Sequence, residues 1–279
     1  MVCEDHNNID LAPDEHMAPR ILKDRLEELY RQYNRREFVH PDPLEFLYHY
    51  RDLCDREIVA FVASSLAYGR VAHILKSVSS VLQRMEPTPS VFLKRASLKT
   101  MRQTFSGFKH RFTDDQKLCA MLFGLREVLG RHGSLQACFS AGLKDDDDTI
   151  LPALSAFARQ LTVCADDNLD HMVPLPTRGS ACKRLNLFLR WMVRSDDVDP
   201  GGWENVPVSK LVVPLDTHMY KIAQLLGLTT RQQADMRTAT EITKAFRTLA
   251  PADPVRYDFS LTRLGIRKDT NLNAFLLRV

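Results

Sequence analysis

Apolar residues recur at helical spacing along most of this chain. Between residues 21 and 33, Ile21, Leu22, Leu26, Leu29, Tyr30 and Tyr33 fall on one stripe at the 3.6-residue period. Pro41 and Pro43 precede a short predicted helix over Leu44 to Tyr50. Asp55 to Tyr68 carries Ile58, Phe61, Val62 and Leu66, and Gly69 ends it. Val71 to Met85 places Val71, Ile74, Leu75, Val78, Leu82 and Met85 in an amphipathic pattern. Pro87 and Pro89 break it. Further helices are predicted over Gln116 to Leu129, Leu135 to Ala141 and Leu151 to Cys164. Alternating strand patterns are scarce, and Leu211 to Val213 reads as a short extended piece before Pro214. No fixed-period repeat occurs. The acid run Asp145 to Asp148 lacks the glycine and distal glutamate of a calcium loop and reads as a solvated turn.

Composition adds bounds. The 279 residues are 44% hydrophobic and 26% charged, enough apolar mass for one or two cores. At roughly 100–200 residues per domain, two domains or lobes are expected. No stretch approaches the roughly 18 apolar residues of a membrane span. The opening segment, Met1 to Pro13, is acidic and polar and does not read as a signal peptide. The cysteines Cys3, Cys54, Cys119, Cys138, Cys164 and Cys182 are scattered and form no CxxC, which fits a reduced cytoplasmic protein. No HExxH, no zinc spacing, no GxxxxGK[ST] and no GxGxxG occurs, so no metal or other cofactor is expected.

The net charge is only +3, but its distribution is uneven. From Pro87 to Thr113 there is no acid, while Lys94, Arg95, Lys99, Arg102, Lys109 and Arg111 alternate with Phe92, Phe105, Phe108 and Phe112. From Met172 to Ser195 there is again no acid, but Arg178, Lys183, Arg184, Arg190 and Arg194 occur. Segregated positive charge is the footprint of a phosphate-rich partner. Solvated helix faces that happen to lack acids would read the same way.

Two segments carry candidate chemistry. In Leu175-Pro176-Thr177-Arg178-Gly179-Ser180-Ala181-Cys182-Lys183-Arg184, proline and glycine make Leu175 to Gly179 a turn. The helix that follows is apolar most of the way round, with Leu185, Leu187, Phe188, Leu189, Trp191 and Met192, and is expected to be buried centrally. Lys183 falls in its first turn, facing the positive end of the helix dipole beside Arg184. Both neighbours, and any burial, disfavour an ammonium and favour a nucleophilic amine able to form a Schiff base. A surface lysine that binds phosphate or nothing is the alternative. The second segment is Val213-Pro214-Leu215-Asp216-Thr217-His218-Met219, leading into a stripe of Met219, Ile222, Ala223 and Leu226 that Gly227 closes. Asp216 sits at the N-cap. It is either only a cap, or a carboxylate fixed at a cleft where it can stabilise a cationic sugar. His218 reads as a packed histidine supporting the turn.

Leu215-Asp216-Thr217-His218, followed by an apolar helix and Leu-Gly-Leu, resembles the V/L-D-T-H…R-L-G-L segment of the helix-hairpin-helix DNA glycosylases related to endonuclease III. Leu175-Pro176-Thr177-Arg178-Gly179 with Lys183 is similar to their L-P-G-V-G-x-K hairpin, stretched by a few residues. Phe61-Val62-Ala63-Ser64-Ser65-Leu66-Ala67 resembles the LLSAQ-like helix of the same fold. The interval between Lys183 and Asp216 is longer than in endonuclease III relatives and is similar to the archaeal GO glycosylases. The endonuclease III iron–sulfur cluster is excluded, because no cysteine follows Cys182. The strings Lys183 to Arg194 and Asp253-Pro254-Val255-Arg256-Tyr257-Asp258-Phe259 resemble the bacterial family DUF2400, over about Leu44 to Arg267.

The resemblance implies an all-α, two-lobed helix-hairpin-helix DNA glycosylase-like fold. One lobe is expected over 38–205, ending in the hairpin and the Lys183 helix. The other is expected from 1–37 plus 206–279, carrying Asp216, with the two residues meeting at the cleft. It further implies a base-excision repair enzyme, a DNA N-glycosylase and AP lyase removing 8-oxoguanine. Lys183 and Asp216 would be catalytic, and Arg178, Gly179, Ser180 and Arg184 would bind DNA. The partner is double-stranded DNA with a damaged base, which must be flipped out. Phenylalanine or tryptophan residues are candidates for stacking that base. A monomer associated with the nucleoid is expected. A pocket selective for 8-oxoguanine needs an acceptor for N7–H: a backbone carbonyl, a side-chain amide or the terminal carboxylate of Val279. A non-catalytic DNA-binding protein of the same fold, and a glycosylase for a different lesion, are the other readings.

Overall fold

The computed structural model describes residues 19–163, 169 and 171–266. The expectations that fall on Cys3, Cys164, the segment Met1 to Pro13 and the Val279 terminus lie outside them. The described chain is mostly helical. α1 spans Pro19–Tyr33, and a 3-10 helix over Pro43–His49 leads to α2, Leu53–Ser65. α3 (Val71–Leu82), α4 (Pro89–Arg95) and α5 (Leu98–Thr104) follow. A two-stranded antiparallel hairpin pairs β1 (Lys109–His110) with β2 (Thr113–Asp114). Then come α6 (Asp115–His132), α7 (Leu135–Ser140) and α8 (Leu151–Thr162). α9 (Lys183–Val193), α10 (Thr217–Leu225), α11 (Met236–Leu249) and α12 (Asp258–Ile266) complete it.

Side-chain caps set several helix starts. Asp52, Thr88, Ser97, Asp114, Ser134, Asp216 and Asp235 each accept a backbone N–H of the following helix. Such caps satisfy amides that have no partner within the helix. α2 is buried nearly all round and packs against α9, α3, α4 and α7. Phe61 of α2 meets Phe157 of α8 and Phe188 of α9 edge-on, at ring distances of 6.1 and 5.2 Å. α6 packs on α5, α7 and α8, while α12 packs on α1 and α10. Glu57, wholly buried in α2, accepts the Leu135 and Gln136 amides at the start of α7 and the Trp203 indole N–H.

The second ionic feature lies at the far end of α9. Arg190 and Arg194 are buried, and so are Asp199 and Asp258. Arg190 pairs with Asp199 at 3.0 Å and with Asp258 of α12. Arg194 pairs with Asp199, with Asp196 at 2.8 Å and with Asp253 at 2.9 Å. Burial alone would lower both guanidinium pKa values. The Asp199 and Asp258 carboxylates around Arg190, and those of Asp199, Asp253 and Asp196 around Arg194, outweigh it and raise both. Burial pushes the Asp258 carboxyl up to about 6, against the pull of Arg190. Tyr30 of α1 donates to Asp196 at 2.9 Å, so the network joins α1, α9 and α12.

This placement corrects one expectation. Arg190 and Arg194 belong to the acid-free window, yet they face inward and neutralise interior carboxylates, so they are not phosphate grips. Their partners come from later in the chain, which is why a window count missed them. His218 is also corrected: its ring is exposed rather than packed, and its backbone N–H is what supports the turn. Leu211 to Val213 is buried and extended but joins no sheet, because the Val213 N–H donates to the Thr243 hydroxyl instead. The acid run 145–148 is a surface turn, as expected.

Removing one partner of a buried ion pair leaves an uncompensated charge in the interior. Asp199→Ala removes the one carboxylate that both arginines share, leaving Arg190 with Asp258 and Arg194 with Asp196 and Asp253, and is expected to cost about 2–3 kcal/mol, below the full penalty for an unpaired interior charge. Urea unfolding of variant and wild type checks this; an unchanged midpoint would show that the network contributes little.

Candidate active site

Lys183 and Asp216 come together. Lys183 Nζ lies 3.2 Å from Asp216 Oδ2, although the residues open different helices, α9 and α10. Each is partly buried, with side-chain exposures of 33% and 23%. The aspartate's two oxygens have separate work. Oδ1 accepts the His218 and Met219 amides, both at 2.9 Å, which caps α10. Oδ2 is left for the lysine. Burial acts to raise the Asp216 pKa, but Lys183, the Met219 amide and His218 outweigh it and hold the carboxyl below its ordinary range. Within its own segment only the helix dipole and Arg184 bear on Lys183; the carboxylate that the resemblance pairs with it comes from another helix start and reaches it through the fold.

The two helix starts are held by buried chain. Leu211 to Leu215 is buried ahead of Asp216. Ahead of Lys183, Cys182 is buried and adopts φ +46°, with its amide donating to Ser180 Oγ at 3.3 Å. That left-handed conformation is costly for a residue with a Cβ. It turns the chain sharply from the preceding loop into α9.

The loop itself has a 3-10 turn over Pro176–Arg178 that Gly179 ends at φ +84°, a conformation glycine adopts without steric cost. Arg178, Gly179 and Ser180 are all exposed. The Gly179 carbonyl accepts the Met236 amide at 3.1 Å, and Ser180 bridges to Asp235, so the turn is tied to the start of α11. A cleft of about 230 Å³ opens beside it, lined by His171, Pro174, Leu175, Arg178, Ser180 and Arg184. Arg184 is built into that wall. Its guanidinium donates to the carbonyls of Ser65 and His171 and lies 5.0 Å from the Tyr68 ring centre. Burial lowers its pKa. Arg184 is thus placed to shape the cleft, while Arg178, Gly179 and Ser180 present themselves at its edge.

Sequence reasoning did not find the aromatic rim. Tyr68, His110, Phe112 and His171 make a chain of edge-on ring contacts beside the cleft. No periodicity could have shown it, since the β1–β2 hairpin that carries Phe112 has strands of only two residues. Of the aromatic candidates, Trp191, Trp203, Phe92, Phe105 and Phe108 are buried. Lys94, Arg95, Lys99, Arg102, Lys109 and Arg111 are exposed, so the first basic window does lie on the surface. Among the described residues no cluster of histidine, cysteine and carboxylates is arranged to hold a metal ion.

The depressed Asp216 pKa has a pH signature. The group is more acidic folded than unfolded, so its stabilisation is present above about pH 4 and is lost as the pH falls through the folded value. Asp216→Asn keeps a good N-cap but removes that dependence. The stability difference between wild type and variant is expected to shrink as denaturation is followed from pH 7 to about pH 3. A difference that stays constant over that range would rule out the ion pair as a source of stability.

No curated protein and no solved structure matches the chain. A family model does, over residues 42–267, which include the 3-10 helix Pro43–His49, the cleft, Lys183, Asp216 and the arginines and carboxylates of the buried network. Its description is a protein of unknown function, DUF2400. The chain belongs to that family.

Proposed function

We propose that this protein is a DNA base-excision glycosylase that removes a damaged base, 8-oxoguanine in the first instance, and cleaves the resulting site through a Schiff base. The fold proposed is the two-lobed helix-hairpin-helix arrangement, with 38–205 as one lobe and 1–37 plus 206–279 as the other. One observation carries the reading: an amine and a carboxylate that a glycosylase needs together lie 3.2 Å apart at two converging helix starts. The exposed turn at Arg178, Gly179 and Ser180 and the surface basic window supply a positive approach for a DNA backbone.

The chemistry proceeds from that pair. As the glycosidic bond breaks, the sugar gains oxocarbenium character, and the Asp216 carboxylate stabilises the developing charge. The departing base takes a proton from the Lys183 ammonium, which frees the amine to bond to C1′. Ring opening gives an imine and makes the C2′ hydrogens acidic. Loss of one of them expels the 3′ phosphate by β-elimination, and water then releases the lysine. Arg178, Gly179 and Ser180 hold a phosphate, and Arg184 keeps the cleft wall in place.

A panel of duplexes with single lesions, with and without borohydride, tests the proposal. Wild type is expected to excise 8-oxoguanine and to form a reduced covalent adduct. Lys183→Gln, close to lysine in helix propensity, is expected to lose the adduct. Asp216→Asn should lower excision by orders of magnitude, since it removes the charge where the sugar becomes cationic. An adduct that persists in Lys183→Gln removes that residue from the mechanism. Salt-dependent duplex binding by a wild type that neither excises nor traps would favour a non-catalytic DNA-binding protein.

A further inference from the structure

Phe112 is 64% exposed, and among the described residues it is the one phenylalanine, tyrosine or tryptophan that is exposed rather than buried or half-buried. Leaving a large apolar ring in water is unfavourable, and here the surrounding structure enforces it. Arg111 and Phe112 form the whole two-residue loop between β1 and β2. Arg111 takes the first turn position at φ +51°, where tight hairpins favour glycine. Its side chain crosses directly over Gly69: a Cβ added there would meet Arg111 Cδ at 2.8 Å.

The base of the hairpin is fixed by polar contacts. The Tyr68 hydroxyl lies 2.8 Å from the His110 carbonyl oxygen and 2.6 Å from the Thr113 hydroxyl. His110 Nδ1 lies 2.9 Å from Ser77 Oγ. The Lys117 ammonium donates to the Phe112 carbonyl at 2.8 Å. The tip is therefore held out by a rigid support, with its ring against His171 at 5.8 Å and the Arg111 guanidinium 5.3 Å from its centre. His171 also lines the cleft beside Arg178 and Ser180. Lys109 and Arg111 are exposed on the same hairpin; Asp114 at its foot is engaged as the α6 cap and lies 4.0 Å from Lys117.

We propose that Phe112 is a base-stacking residue, which inserts at the rim of the cleft against a nucleobase that has lost its stacking neighbour. A lone rigid ring flanked by cations matches a ligand that offers a π-face beside a phosphate. The proposal rests on the DNA-repair reading for its partner, but it concerns recognition of a gap in the stack rather than the chemistry at Lys183. Phe112 holds the space that an extruded base leaves, while the exposed arginine and lysine meet the adjoining phosphates.

The test needs no catalysis. The probe is a duplex with a tetrahydrofuran abasic analogue and 2-aminopurine next to it, compared with the intact duplex. Wild type is expected to change the 2-aminopurine fluorescence and to prefer the gapped stack. Phe112→Ala should lose the fluorescence change and weaken binding to the abasic duplex on the order of tenfold, more than to the intact one. Phe112→Trp should restore both. Because the ring is exposed, thermal melting of both variants should match wild type. Equal fluorescence and preference in wild type and Phe112→Ala would overturn the proposal, as would a wild type that binds without any signal. A Phe112-dependent signal in a protein that neither excises a damaged base nor forms a borohydride adduct would retain the stacking role and reject the glycosylase reading. An adduct with no Phe112-dependent signal would do the reverse.

Discussion

Two arginines inside the protein set the terms for everything around them. Arg190 and Arg194 could not remain buried without carboxylates, because an unpaired interior charge costs several kcal/mol. The carboxylates come from the loop after α9, from Asp253 and from α12, and Tyr30 adds α1 to the set. One helix thereby gathers chain segments that lie far apart in sequence. The opposite end of the same helix carries Lys183. At about 1.5 Å per residue, α9 is a short rigid rod, so fixing one end fixes where the other emerges.

The same economy shows at Asp216. A helix cap needs only one carboxylate oxygen, and Oδ1 fills that role with two amides. The cap orients the side chain so firmly that Oδ2 points at Lys183. Structural and chemical readings of this residue are therefore not rivals. The cap supplies the aim, and the charge supplies the interaction. The strained Cys182 does the corresponding job for the lysine by turning the chain into α9.

Much of the helical framework was legible in the sequence because a 3.6-residue stripe needs only local information. α1, α3, α6, α7 and α8 lie where apolar spacing put them, within a few residues. The short helix expected over Leu44 to Tyr50 is present as a 3-10 helix over Pro43–His49; spacing alone does not give its tightness. α4 and α5 were obscured by reading Pro87 to Thr113 as a charge window. The buried network was illegible because Arg190 and Asp258 are neighbours only after folding. Lys183 and Asp216 were found as a pair through resemblance, since neither segment alone distinguishes a catalytic side chain from a cap or a surface lysine. The hairpin was missed because two-residue strands carry no period, and the exposure of the Phe112 ring at its tip is set by tertiary contacts that no sequence pattern encodes.

In the proposed chemistry the Lys183 amine, held against Asp216, bonds to the sugar of a damaged nucleotide. Locating that bond decides the matter. The adduct between wild-type protein and an 8-oxoguanine duplex can be reduced with borohydride, digested with protease and nuclease, and sequenced by mass spectrometry. A deoxyribose-derived mass is expected on the peptide containing Lys183, at that side chain alone. Attachment at another amine, or no covalent adduct on any lesion-bearing or abasic duplex, would exclude Lys183 as the nucleophile.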